Sequence, residues 1–174
     1  MKTFLEIGTC DFDTLNYLSD RGWRGIIVEP IKKYLDNIKR KERIHYYNAA
    51  VDWVDGTRKM YIAPDHIVNE DYDFAGMSSF YNISNVLTEE VIVPTITIKK
   101  ILYDTNIVEL DFLKIDTEGH DFEILQMVFN EKVFPKYLQA EIKHLTNVDE
   151  LKKLLTTNGY HYTISGDNVF AILL

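Results

Sequence analysis

Two acids near the start of the chain stand where an acid can hold a ligand. Glu6 lies in the apolar run Phe4-Leu5-Glu6-Ile7, which Gly8 ends, and Glu29 directly follows the run Gly25-Ile26-Ile27-Val28. In nucleoside-binding sheets, an acid at the end of the second strand accepts hydrogen bonds from both ribose hydroxyls. Glu29 therefore points to an adenosine-containing ligand, NAD and S-adenosylmethionine alike. It could instead cap a helix that Pro30 opens. As a strand-end residue outside the expected core, it should matter for the ligand and little for stability.

The loop after Gly8 separates the two ligands. A dinucleotide fingerprint G-x-G-x-x-G aligned on Gly8 would need glycines at Cys10 and Asp13, and both positions fail. Asp11 and Asp13 also put negative charge where a pyrophosphate would meet a helix N-terminus. A ligand carrying a sulfonium and an amino group, as S-adenosylmethionine does, suits that charge better. A single glycine still lets the backbone approach a ligand closely. The plainer alternative is a tight strand-to-helix turn followed by acids that favour the helix start.

Further candidates follow later apolar runs. Asp116, Glu118 and His120 come after Leu110 to Ile115, while Glu141 and His144 end and follow Tyr137 to Ile142. Any of these five could take up a proton from a hydroxyl acceptor, and either His could equally be a surface or capping residue. Asp116 and Glu118 alone are too few to define a metal site. The five His are scattered without ligand spacing, so no metal is assigned.

The elements that must position these residues alternate. Helical spacing appears at Leu15 and Leu18, and again at Ile31, Tyr34, Leu35 and Ile38. Ile44 to Tyr47, Arg58 to Ala63 and Val91 to Ile98 read as strands. Gly119 opens a helix with Phe122, Leu125 and Phe129 on one side. Val148, Leu151, Leu154 and Leu155 mark another, stopped at Asn158-Gly159. Ser165-Gly166-Asp167 joins the last two strand-like runs as a hairpin. Residues 64–90 show no sustained period, and their aromatics among polar residues suit a sugar or ring acceptor. This β-α alternation predicts an α/β three-layer sandwich, with a mostly parallel sheet and an antiparallel last strand.

Bulk properties set the remaining bounds. A chain of 174 residues fits one domain, 1–174. No apolar run is long enough to span a bilayer, and the N-terminus reaches Glu6 too early for a signal peptide. One cysteine fits a reducing compartment, so a cytoplasmic location is expected. A net charge of −8 argues against non-specific nucleic-acid binding. The expected partner is a small-molecule or glycan acceptor, with no membrane.

Several motifs resemble those of the FkbM methyltransferase family. Phe4 to Thr9, Val28-Glu29-Pro30 and Asn48-Ala49-Ala50-Val51 resemble its successive cofactor motifs. Gly76-Met77-Ser78-Ser79-Phe80 resembles its small-residue and serine motif. Val93 to Ile98 is similar to the segment before its fourth helix. Asp111 to Gly119, followed by Glu123-Ile124-Leu125, is the most specific match. The resemblance runs from Phe4 to about Leu145. It implies a class I methyltransferase (Rossmann-like) fold with a seven-stranded sheet, S-adenosylmethionine as methyl donor, and transfer to a hydroxyl oxygen. It also implies a donor site from Glu6, Gly8, Thr9, Asp11, Glu29, Pro30, Ala49, Ala50, Ser78, Ser79 and Asp116, with Ala49 and Ala50 near the adenine. The catalytic candidates are Asp116, Glu118, His120 and His144. Lys99 stands where the family often has Asp, and Phe12 where a small residue is common. A methyltransferase fold that binds cofactor or a partner without turnover is the alternative.

Overall fold

The computed structural model describes residues 1–12, 14–146 and 148–174. Asp13, expected to carry charge in the first loop, lies outside the described residues.

The apolar runs of the N-terminal half form strands β1 (Thr3–Ile7), β2 (Arg24–Val28), β3 (Ile44–Tyr47), β4 (Ala50–Val51) and β5 (Gly56–Ile62). β6 (Glu89–Ile96), β7 (Phe112–Ile115), β8 (Tyr137–Glu141), β9 (Tyr160–Ser165) and β10 (Asn168–Leu173) complete the set. The helices are α1 (Lys32–Asn37), α2 (Asp65–Glu70), α3 (Ile98–Thr105), α4 (Asp121–Asn130) and α5 (Val148–Thr157). Two 3₁₀ helices, Leu15–Arg21 and Tyr72–Met77, join them. The first stands where sequence spacing suggested an α-helix. Thr14 caps its start, and Gly22 in the left-handed region ends it.

Seven strands form one sheet in the order β3-β2-β1-β7-β8-β10-β9. The first five are parallel to one another, and β10 runs antiparallel to both of its neighbours. The antiparallel last strand is therefore as expected, inserted between β8 and β9 by the hairpin. A second, three-stranded sheet, β4-β6-β5, was not foreseen.

Side chains alternate across β1 and so serve two cores. Phe4 packs with Leu15, Leu18 and Leu35 from the first 3₁₀ helix and α1. Leu5 and Ile7 join Ile101, Ile124 and Leu151 from α3, α4 and α5. Helices thus cover both faces, the three-layer arrangement. Each fully buried Leu, Ile or Phe contributes about 1.5–3 kcal/mol. Gly25 in β2 has a packing reason, since a Cβ there would lie 2.1 Å from the Phe4 ring.

Residues 64–90 differ from the sequence expectation. They fold as α2 and the second 3₁₀ helix. Val68, Ala75, Phe80 and Leu87 then pack on Met60 and Val93 of β5 and β6 in a third apolar cluster. Both helices are six residues long, too short for a 3.6-residue period to show. Among the described residues, no helix is long and apolar enough to cross a membrane.

Candidate functional site

The carboxyl ends of β1, β2 and β7 meet in a tightly bonded group. Gly8 N–H donates to the Val28 carbonyl at 3.0 Å, Glu29 N–H to Tyr47 at 3.0 Å, and Asp116 N–H to Ile7 at 2.9 Å. Gly8 has a φ of 79°, and Cys10 follows in the left-handed region at 46°. These turns fold the first loop back over the strand ends.

A cavity of about 500 Å³, measured to its open mouth, lies over this group. Its walls are largely apolar, with Ile7, Ala49, Ala50, Val51, Met60 and Ala75 among them. Polar groups enter from Glu29, Ser78, Asp116, Thr117 and His120. Of the residues expected at the donor site, Gly8, Glu29, Pro30, Ala49, Ala50, Ser78 and Asp116 line it. Glu6, Thr9, Asp11 and Ser79 are placed elsewhere.

Glu29 is buried, and each of its oxygens is already fixed. Oε2 accepts from Cys10 N–H and Oε1 from Ile31 N–H, both at 2.8 Å. The expectation that Glu29 matters little for stability is therefore corrected: it ties the first loop to the start of α1. Each carboxylate oxygen keeps a further lone pair, so the two backbone bonds do not exhaust its capacity to accept. Burial, with smaller contributions from Asp11 and Glu6, pushes its carboxyl up to about 7. Asn48 holds the segment below it by donating to the Glu29 and Pro30 carbonyls.

Glu6 lies beneath this layer. It is fully buried, and its Oε2 accepts from Thr14 Oγ1 at 2.7 Å and Leu15 N–H at 2.8 Å. The β1–β7 register places it opposite Lys114, whose Nζ is 3.4 Å from Oε1. Glu6 thus fastens the first 3₁₀ helix to the sheet. Asp11 is in the loop after β1, where Oδ2 accepts from Asn37 at 2.7 Å and from the Tyr72 hydroxyl at 2.6 Å. Ser79 is buried and donates to the Glu118 carbonyl at 2.6 Å.

Of the catalytic candidates, Asp116 and His120 line the cavity, while His144 lines a neighbouring cleft with Tyr81, Gly119 and Glu123. The His120 ring joins the two. Its Nδ1 is 3.3 Å from the Tyr81 hydroxyl, and its Nε2 lies 3.7 Å from Asp52 with no hydrogen-bond partner. Burial lowers its pKa, which keeps the imidazole neutral. Glu118 and His144 face each other at 3.0 Å. Burial, then the Asp116 charge, pushes Glu118 up to about 7.

Three participants escaped the sequence reading. Asp121 is buried at the start of α4 and accepts from Thr117 Oγ1 and from Gly119 and Glu141 N–H, so it shapes the loop after β7. Asp52 pairs with Arg58 at 2.9 Å, and Arg58 lies over the Phe80 ring beside His120. The second sheet, which brings Asp52 and Arg58 together, was not anticipated.

The sheet order, the antiparallel strand and the cavity over the strand ends define a class I methyltransferase domain. The chain belongs to the methyltransferase FkbM domain family, whose model matches residues 6–162. No curated protein matches it in sequence. Among solved structures, it is similar to a fibrillarin/Nop5p complex, with 9% identity and a TM-score of 0.47, over 99% of this chain and 72% of that one. It is also similar to human methyltransferase 10 domain containing protein, with 11% identity and a TM-score of 0.43, over 99% and 70%. The METTL16 methyltransferase domain gives 11% identity and a TM-score of 0.43, over 99% and 72%.

Proposed function

We propose that the chain transfers a methyl group from S-adenosylmethionine to a hydroxyl of a sugar, glycan or other small molecule. The observation that carries this reading is Glu29, a carboxylate lining an apolar cavity beside a loop that has no second or third fingerprint glycine. Residues and donor suit each other chemically. Ala49, Ala50 and Val51 offer a flat apolar wall for a purine, Glu29 accepts from ribose hydroxyls, and Asp116 favours a cationic methionine part. When bound, the donor supplies a methyl group activated by a positive sulfur.

The chain's own part is alignment, exclusion of water and handling of one proton. Rigid placement contributes up to about 7–11 kcal/mol in ideal cases. The apolar wall and the cover formed by residues 72–80 keep water away. His120, whose pKa burial lowers, lines the cavity and is the group best suited to receive the acceptor's proton. Proton uptake of this kind is worth about 10²–10⁴-fold.

Calorimetry with S-adenosylmethionine, its demethylated product and NAD tests the donor. Both sulfur compounds should bind, and NAD more weakly or not at all; tighter binding of NAD would overturn the reading. Labelled-methyl transfer into a panel of hydroxyl acceptors tests turnover. Donor binding with no transfer to any acceptor would leave a binding module.

A further inference from the structure

We propose that Glu118, Glu141 and His144 bind one first-row divalent cation of the Mn²⁺ type, beside the methyltransferase cavity. These residues come from the loop after β7, the last position of β8 and the loop that follows it. One donor atom from each lies within 4.8 Å of the other two. His144 Nε2 and Glu118 Oε2 are 3.0 Å apart. Adjacent ligands of an octahedral ion with bonds of about 2.1 Å are separated by about 3.0 Å, and opposite ligands by about 4.2 Å. A small inward movement of one side chain therefore closes the set.

The donor atoms are also without other partners. Glu118 Oε2, Glu141 Oε2 and His144 Nε2 are buried and lack a hydrogen bond, and the contact between Glu118 and His144 is not aligned as one. Glu118 is only 8% exposed. Buried polar atoms in native proteins are nearly always satisfied, so three buried donor atoms converging on one point, with only the unaligned Glu118–His144 contact between them, ask for a shared partner. The backbone supports this. Glu118 sits at a φ of 53° although it is not glycine, held there by the Ser79 hydroxyl on its carbonyl. Such strain concentrates at functional sites. Asp121 accepts from Glu141 N–H at 3.3 Å and so steadies the strand end.

The surroundings favour positive charge. Burial, then the charges of Glu118, Asp116 and Asp121, push Glu141 up to about 8, and Lys143 partly offsets that field. Two carboxylates with one imidazole suit Mn²⁺ and similar cations better than softer sets with thiolate. The cleft that His144 lines adjoins this point, so a bound cation would meet an acceptor hydroxyl there. That role rests on the proposed function, whereas binding itself does not.

The test is a titration of the chelator-stripped full chain with MnCl₂, without donor or acceptor, following the paramagnetic resonance of free Mn²⁺. One equivalent should disappear into the protein. Glu141→Gln and His144→Ala should each weaken uptake at least tenfold, with circular dichroism confirming the fold. His144 is partly exposed, so His144→Ala decides the matter if Glu141→Gln does not fold. No saturable uptake at millimolar Mn²⁺, or uptake unchanged in the folded variants, overturns the proposal. Saturable binding of Zn²⁺ with none of Mn²⁺ overturns the choice of cation. Failed methyl transfer would leave the binding result standing.

Discussion

A Cβ on Gly8 would lie 1.7 Å from the carbonyl oxygen of Asp116, far inside van der Waals contact. The glycine that ends β1 is therefore required by a neighbouring strand end before any ligand is considered. It also holds a φ of 79°. Left-handed strain and overpacking each cost about 1–3 kcal/mol. Gly8→Ala should cost about 3 kcal/mol or more, lowering the thermal midpoint by roughly 6–12 °C. A scan with no such fall would show that the two strand ends separate easily.

Glu29 predicts a pH dependence. Its folded carboxyl titrates at about 7, above its ordinary value. The folded chain therefore binds more protons than the unfolded chain between about pH 4.5 and 7, and the stability contributed by Glu29 falls as pH rises through that window. Donor affinity should run the other way, because the carboxylate is the better acceptor for ribose hydroxyls. Calorimetry should show about tenfold tighter binding of S-adenosylmethionine at pH 8 than at pH 6. Glu29→Gln should flatten that slope.

Asp116→Asn separates catalysis from folding. The Asp116 charge raises the cost of ionising Glu118, Asp121 and Glu141 around it. Neutralising it relieves repulsion, so the thermal midpoint should hold or rise while turnover falls, by roughly tenfold or more. A variant with lower stability and normal specific activity would make Asp116 a structural residue.

The main sheet was legible because its strands are continuous apolar runs, and Gly22, Gly159 and the Gly166 turn punctuate it. The second sheet was not. Its β4 has two residues, and β5 and β6 pair antiparallel across the intervening residues 64–88, contacts that no local period records. The same cause hid the grouping of Glu118, Glu141 and His144, which only the β7–β8 pairing brings together. At the donor site, Glu29 and Gly8 could be picked out from position alone. Their structural duties, to the first loop and to Asp116, required three dimensions. Residues 64–90 showed no period in the sequence and read as an acceptor-binding loop. Val68 and Ala75 are in fact buried, so shortening this segment would remove core as well as cover.

The cover can be tested more gently at Tyr72. Its hydroxyl donates to Asp11 at 2.6 Å, joining the second 3₁₀ helix to the loop after β1. Phe12 from that loop packs edge-on against the Tyr72 ring and lies close to Gly76, which lines the cavity. Among the described residues, this hydrogen bond and this aromatic contact link the cover to the loop, and both are at the surface. An exposed charged contact of this kind is worth about 1 kcal/mol at most. Tyr72→Phe keeps the ring and loses only the bond to Asp11, so the fold and thermal midpoint should hardly change. The donor should leave faster, by up to roughly fivefold. Tyr72→Ala removes the aromatic contact as well and should release the donor faster still. Stopped-flow displacement of a fluorescent donor analogue measures both rates. Unchanged dissociation in Tyr72→Ala would mean that residues 72–77 do not control the mouth, and donor retention would then fall to Glu29 and the apolar wall alone.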